Sequence, residues 1–125
     1  MQSLAGIDFE SQGTTIVITI LQSIELYHIT ELHDAIETAL GSNSYRHAIF
    51  QMADVRYMDS SGIGALLQIQ QKYLGKIKLR FCDLQPNVRL IFEFTHLQKY
   101  FAIDQTLADS FKAIADSTVD SRFGD

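Results

Sequence analysis

Apolar and polar residues alternate along this chain with two different periods, one typical of strands and one typical of helices. Residues 14–20 (TTIVITI) place Ile16, Ile18 and Ile20 on one face of a predicted strand and Thr15, Val17 and Thr19 on the other face. A shorter run, 6–10, precedes this strand across a polar turn, which favours a hairpin. Further short apolar runs predict strands at 47–52, 77–82 and 100–103.

Between and after these strands, apolar residues recur at helical spacing. The first such stripe runs from Ile29 to Leu40, and Gly41 follows it as a helix stop. Pro86 suits the first turn of a third helix, and Asp104 or Thr106 can cap a fourth. The apolar positions of the later helices are Ile63, Leu66, Leu67 and Leu74 in the second, Val88, Ile91 and Phe92 in the third, and Leu107, Phe111 and Ile114 in the fourth.

The resulting order of elements is β-β-α-β-α-β-α-β-α with short connections. Strands that alternate with helices indicate parallel strands with helices packed on the sheet. We therefore predict an α/β fold, a single domain with a mixed β-sheet of four to five strands and about four helices. The domain is predicted to span 1–116, and 117–125, which lacks periodicity, to form a frayed tail.

Composition excludes several classes of function. The chain has 125 residues, 46% hydrophobic and 20% charged, which is typical of a globular domain. Its net charge of −5 offers no electrostatic footprint for nucleic acid or an anionic membrane, so neither is expected as a direct partner. No apolar stretch approaches the ~18 residues of a membrane span, and the first residues do not resemble a secretory signal. A cytoplasmic location is predicted.

Cysteine and histidine give no indication of a metal or cofactor. The single cysteine, Cys82, ends an apolar run and is predicted to be a buried structural thiol. His28 with Glu31, and His33 with Glu37, can share a side of the first helix, but neither pair supplies the ligands of a zinc site. We expect no metal and no cofactor.

Two further clusters are interpreted as structural. One is a basic cluster that is predicted to be the solvated face of a strand; its members are Lys72, Lys76, Lys78 and Arg80. A second group is aromatic and is predicted to form core beneath the third helix, with a partner surface as the alternative; its members are Phe92, Phe94, Tyr100 and Phe101.

The segment from Asp59 to Gly64 (DSSGIG) is the most informative, because it lies between a strand and a helix. Asp and Ser are both preferred N-cap residues, so capping alone can explain it. A hydroxyl at a helix start can also be a phosphorylation site, since backbone N–H groups and the helix dipole accommodate phosphate there. The dinucleotide fingerprint needs a third glycine where Leu67 stands, and neither a Walker A loop nor the serine-hydrolase Gly-x-Ser-x-Gly is present.

Together with the order of elements, this segment resembles the STAS domain, and more narrowly the bacterial anti-sigma factor antagonists. Members of that family typically carry a strand ending in Asp-Leu or Asp-Val, followed by a loop closing in Met-Asp-Ser-Ser-Gly-Leu-Gly. Here residues 54–64 read DVRYMDSSGIG, and 85–89 (QPNVR) is similar to the family's segment leading into the third helix. The resemblance covers roughly 14–115.

The resemblance implies a partner switch without enzymatic activity in this chain. An unmodified antagonist binds an anti-sigma factor that is also a serine/threonine kinase, which releases a sigma factor. The kinase phosphorylates the serine directly after the aspartate, which matches Ser60, and a serine phosphatase reverses the modification. The implied partner-binding residues are Glu25, Asp54, Asp59, Ser60, Ser61 and Gly62.

This sequence departs from the family pattern at two places. Residues 22–25 (QSIE) stand where the family usually has Gly-Glu-Leu-Asp, in a loop that commonly belongs to the partner surface. The alternative function, motivated by this loop, is a non-switching STAS interaction module of a transporter or stressosome-like scaffold. His96 and Leu97 stand where the family has Gly-Leu, which predicts a changed helix stop and a different local bend. A third hypothesis, an enzyme using Ser60 or Asp59 with a histidine, is supported only by a hydroxyl beside a carboxylate.

Overall fold

A six-stranded sheet with the strands in chain order forms the centre of the molecule. The computed structural model describes the backbone of residues 2–4 and 6–124 and the side chains of 6–117. The first two strand pairs are antiparallel and the next three are parallel. The strands are β1 (Gln2–Leu4), β2 (Ile7–Gln12), β3 (Thr15–Ile20), β4 (His47–Gln51), β5 (Lys78–Cys82) and β6 (Ala102–Asp104).

Helices cover the sheet and connect its parallel strands. The first three follow β3, β4 and β5 in turn, and the fourth packs against β4, β5 and β6. The helices are α1 (Ile29–Gly41), α2 (Ser60–Lys72), α3 (Pro86–Phe94) and α4 (Leu107–Gly124), and a short 3-10 turn spans Leu97–Lys99. The predicted α/β class and single domain with a mixed sheet are confirmed, and β1 adds an edge strand that the apolar pattern did not predict. The frayed tail at 117–125 stays a prediction, since the side chains of 118–125 lie outside the described residues.

Local signals in the sequence explain where several elements begin. The alternation in β3 buries Ile16, Ile18 and Ile20 completely against the helices. Pro86 occupies the first turn of α3, as predicted. The backbone N–H of Asp109 donates to Thr106 Oγ1 at 3.1 Å, so Thr106 is the residue that caps α4.

The aromatic core is smaller than the sequence indicates. Phe81 stacks on Phe50 with ring centroids 4.8 Å apart and meets Phe101 edge-on at 4.8 Å. Phe92 is also buried, but Phe94 is 82% exposed and Tyr100 is exposed as well. The prediction that all four residues form core is therefore wrong for Phe94 and Tyr100. Two positions beyond Phe92, a helical side chain points about 200° away, towards solvent.

The predicted solvated basic face is also wrong in part. Arg80 is only 11% exposed, because Asp104 holds its guanidinium with Nε–Oδ2 and Nη2–Oδ1 distances of 2.8 and 3.0 Å. Ser110 on α4 donates to the same carboxylate at 2.7 Å, so α4 covers this part of the sheet. Lys72 pairs with Glu37 on α1 at 2.6 Å. Lys76 and Lys78 are exposed.

Cys82 and His33 have the surroundings of structural residues. Cys82 is buried, and burial raises the pKa of its thiol to about 12. His33 lies half-buried on α1, with Nε2 3.6 Å from Glu37. Over the residues that the structure describes, no group of three or more histidine, cysteine or acidic side chains is arranged to hold a metal ion. Over the same part of the chain, no helix combines the length and the apolar character needed to cross a bilayer.

Candidate functional site

The start of α2 is capped by a carboxylate. Asp59 is the N-cap residue, and its Oδ1 accepts a hydrogen bond from the Gly62 backbone N–H at 3.1 Å. Ser60 is the first residue of the helix, and its hydroxyl makes no hydrogen bond to any residue the structure describes. The capping interpretation of this segment therefore holds for Asp59. The hydroxyl of Ser60 does not cap the helix.

A short parallel bridge joins this segment to the loop that leads into α1. Ile24 pairs with Met58, and the Ile24 N–H donates to the Tyr57 carbonyl oxygen at 3.0 Å. The Asp59 N–H in turn donates a hydrogen bond to the Ile24 carbonyl oxygen at 3.1 Å. The second carboxylate oxygen of Asp59 accepts from the Leu26 N–H at 3.0 Å. Residues far apart in the sequence are thus fixed beside one another.

These contacts also determine the charge of Asp59. Partial burial tends to raise the pKa of this carboxyl, but hydrogen bonds from the backbone N–H groups of Leu26, Gly62 and Ser61 outweigh that effect. The net result is a pKa below the ordinary value for aspartate. Asp59 therefore carries a negative charge directly beside the hydroxyl of Ser60 at neutral pH.

Gly62 permits the close approach of the two segments. A Cβ atom built on Gly62 would stand 2.6 Å from Ile24 Cγ2, 2.7 Å from the Ile24 carbonyl oxygen and 2.9 Å from Met58 Cγ. Only a residue without a side chain fits there without displacing backbone. Because Gly62 is buried, any contribution it makes to partner binding acts through the position of its neighbours.

The start of α3 supports the other side of the loop between β4 and α2. Gln85 and Asn87 donate side-chain hydrogen bonds to the carbonyl oxygens of Ala53 and Arg56. The Met52 N–H donates to the Cys82 carbonyl oxygen at 3.0 Å, which continues the sheet contact past the end of β4. The segment 85–89, singled out in the sequence, thus holds the loop that carries the site.

The two adjacent serines differ in their surroundings. Ser60 is exposed, whereas Ser61 is half-buried. Ser61 lines a cleft of about 370 Å³ between α1 and α2, together with Ile29 and His33. A macromolecular partner can therefore reach the hydroxyl of Ser60 more directly than that of Ser61.

The remaining predicted residues lie at different places. Glu25 is half-buried and directly precedes Leu26, whose N–H binds Asp59, so the structure brings it to the edge of the site. Asp54 is exposed in the connection from β4 to α2. Its side chain makes no hydrogen bond or ion pair with any described residue, and no contact draws it to Ser60.

Sequence reasoning missed three exposed apolar side chains at this site. Leu26, Tyr27 and Tyr57 lie on the two segments that the bridge joins, and Tyr27 is 90% exposed. We call these three residues the rim patch. One signal was available: Leu26 and Tyr27 precede the apolar stripe of α1 and do not belong to it. Large apolar side chains grouped on a surface are typical of a protein interface.

The surroundings of Ser60 combine a carboxylate with the start of a helix. Among the described residues, no histidine or other base is hydrogen-bonded to the Ser60 hydroxyl. The carboxylate of Asp59 is already engaged by backbone N–H groups, those of Leu26 and Gly62 among them. The positive end of the helix dipole at Ser60 favours a negatively charged group such as phosphate.

Comparison with solved structures identifies several proteins of similar fold. The chain is similar to an anti-sigma factor antagonist from Mycobacterium paratuberculosis, with a TM-score of 0.79 and 20% identity over 87% of this chain and 92% of that one. It is similar to the anti-sigma factor antagonist SpoIIAA in its unphosphorylated form, with a TM-score of 0.71 and 19% identity over 88% and 96%. Part of the murine anion transporter Slc26a9 also matches, with a TM-score of 0.69 and 14% identity over 82% of this chain and 18% of the transporter.

At these identities the structural matches establish a shared fold. The comparison at the level of sequence families is more specific, because the STAS domain model matches residues 6–110, most of the chain. The match includes the bridge, the cap and Ser60. The chain belongs to the STAS domain family.

Proposed function

We propose that this domain is an anti-sigma factor antagonist that binds an anti-sigma factor serine/threonine kinase and so releases a sigma factor. Phosphorylation of Ser60 by the kinase ends the interaction, and a serine phosphatase restores it. The observation that carries the proposal is the exposed, unbonded hydroxyl of Ser60 at the first position of α2. The neighbouring Ser61, half-buried between two helices, is a poorer acceptor.

The switch needs only local electrostatics. A phosphate adds about −1.5 to −2 charges at neutral pH, so the net charge changes from −5 to about −7. Facing an acidic group of the partner at ~5 Å, each added charge costs roughly 1–3 kcal/mol. Two such charges cost roughly 2–6 kcal/mol and weaken binding by about thirtyfold to about twenty-thousandfold. The charged Asp59 adds to this repulsion without any change of fold.

The partner surface combines charge with apolar area. Glu25, Asp59, Ser60 and Ser61 supply its polar part, and Asp54 extends it along the loop from β4. The rim patch supplies exposed aromatic and aliphatic area, and tyrosine is enriched among residues that dominate binding energy at interfaces. Gly62 keeps both segments in position. The function is binding rather than catalysis, and its place is the cytoplasm, where a sigma factor acts.

Phosphorylation by the kinase tests the proposal. The kinase is first captured from the native organism with the unmodified chain, and the chain is then incubated with that kinase and ATP. Intact-mass spectrometry should show one added phosphate in the wild type and in Ser61→Ala, and none in Ser60→Ala. Phosphate that persists in Ser60→Ala and is lost in Ser61→Ala would refute the assignment of Ser60.

The second candidate function is a non-switching STAS module within a transporter or scaffold assembly. The match to part of an anion transporter favours it, as does the QSIE sequence at 22–25. This candidate predicts that a captured partner binds wild type and Ser60→Asp with equal affinity. The antagonist function predicts that Ser60→Asp binds at least about tenfold more weakly.

A further inference from the structure

A cleft of about 450 Å³ lies at the amino-terminal ends of the parallel strands. Arg46 immediately precedes β4, Lys76 and Lys78 lie at the start of β5, and Tyr100 precedes β6. Helix α2, which carries Ser60, begins beyond the opposite, carboxyl end of β4. The cleft is therefore separate from the site proposed above.

The cleft concentrates positive charge that no ion pair among the described residues neutralises. Arg46, Lys76 and Lys78 are exposed and form no ion pair with any described residue, and no aspartate or glutamate lines the cleft. The chain has fifteen acidic residues against ten basic ones, so three exposed cations in one cleft without an ion-pair partner are unexpected by composition. Asp104 lies within electrostatic reach of Lys78, but its carboxylate is bound to Arg80. The other members of the basic cluster, Lys72 and Arg80, are both paired.

A neighbouring histidine responds to this charge. His47, the first residue of β4, pairs in register with Lys78 on β5. Burial is the main reason that the pKa of His47 lies below its ordinary value, and the positive charges of Arg80, Lys78 and Arg46 lower it further. Two of these three charges, Arg46 and Lys78, line the cleft, whereas Arg80 is paired with Asp104.

The remaining lining supplies an apolar wall and polar donors. Leu74 and Tyr100 are both exposed, and neither contributes to the core. Gln70 adds an amide and Tyr100 a hydroxyl, which can complete the hydrogen bonds of a bound anion. The volume lies within the range of roughly 300–1,000 Å³ that is typical of sites for small ligands.

We propose that this cleft binds a small organic phosphate. Arg46, Lys76 and Lys78 would hold the phosphate dianion, and Leu74 and Tyr100 would contact its apolar or aromatic part. A small ligand is favoured over an acidic peptide because the three cations line one compact cavity and the apolar wall belongs to the same cavity.

Titration of the full-length chain with two probes tests the proposal by nuclear magnetic resonance. Phenyl phosphate should shift the backbone amide signals of residues 46, 75–78 and 100–102, and leave those of 57–62 unchanged. It should bind more tightly than inorganic phosphate, and Tyr100→Ala should abolish that difference. The double variant Lys76→Gln/Lys78→Gln should bind at least about tenfold more weakly, whereas Lys112→Gln on α4 should bind like the wild type.

Three outcomes would overturn the proposal. One is a double variant that binds phenyl phosphate as tightly as the wild type while retaining its melting temperature. Another is equal affinity for phenyl phosphate and inorganic phosphate in the wild type, which would remove the role of the apolar wall. The third is an oligo-aspartate peptide that binds the same residues more tightly than phenyl phosphate, which would identify an acidic segment as the ligand.

Discussion

Gly62 lies directly against Ile24, and the gap between them is too small for a methyl group. An added Cβ would meet the Ile24 carbonyl oxygen at 2.7 Å, and that oxygen is fixed by its bond to the Asp59 N–H. Helix α2 and the loop 22–26 can therefore lie this close together only because Gly62 has no side chain. This contact aligns the two segments around Ser60.

Gly62→Ala should therefore destabilise the protein by overpacking. Gly64→Ala is the matched control, since Gly64 lies on the same helix and an added Cβ there meets no atom within 4 Å. Both variants gain the same helix propensity, so their free energies of unfolding should differ by about 1–3 kcal/mol, with Gly62→Ala the less stable. Urea denaturation measures this difference. Equal stability of the two variants would show that the contact is not tight.

The contact could not have been predicted from local patterns, although the motif that contains Gly62 could. Periodicity describes the two faces of one element, and it correctly indicated β3, α1 and the burial of Ile16, Ile18 and Ile20. The bridge between Ile24 and Met58 instead joins residues 34 positions apart. Only the packed fold places Glu25 and the rim patch beside Ser60.

Errors in the sequence interpretation have the same origin. The alternation of Lys78 and Arg80 with apolar residues indicated a wet face, because nothing local shows that α4 returns to cover Arg80 with Ser110 and Asp104. The prediction for Phe94 is wrong because it rests on the aromatic character of the residue and not on its position in the helix. The helical angle from Phe92 gives the exposed position that the structure shows.

Asp104→Asn should weaken the attachment of α4. The Asp104 carboxylate is 13% exposed and accepts two hydrogen bonds from Arg80 and one from Ser110. Removal of one partner leaves a guanidinium without its counter-charge, so we expect a loss of about 3 kcal/mol at pH 7. Urea denaturation checks this value. Asp116→Asn, at an exposed position of the same helix, should cost less than ~0.5 kcal/mol.

The same carboxylate should contribute to acid sensitivity. The hydrogen bond from Arg80 is the main reason that the pKa of Asp104 lies below its ordinary value in the folded protein. Its stabilisation is therefore complete above the unfolded pKa of about 4, and it is lost as the pH falls through the lower folded pKa. Between pH 7 and pH 3, Asp104→Asn should lose less stability than the wild type. An identical loss in both proteins would contradict this.

His96→Gly should stabilise the protein. His96 has φ 59° and ψ 30°, the left-handed conformation that favours glycine, immediately after α3. Histidine here adopts the conformation that suits glycine at a helix end, and it carries the strain; the change of bend relative to the family stays a prediction. Glycine should relieve that strain by about 0.5–1 kcal/mol. Gln98→Gly, within the 3-10 turn, should destabilise by a similar amount, and a loss of stability in His96→Gly would refute the argument.

Tyr27 should matter for partner binding and not for folding. Its side chain is 90% exposed, so Tyr27→Ser should change the free energy of unfolding by less than ~0.5 kcal/mol. If the rim patch contacts the kinase, the same change should weaken the complex at least about tenfold, because an exposed tyrosine beside the modified residue gains most of its burial on binding. Calorimetric titration of the captured kinase measures this effect. Tyr100→Ser, at the opposite end of the sheet, is the matched control and should leave the affinity unchanged; equal losses in both variants would place the kinase elsewhere.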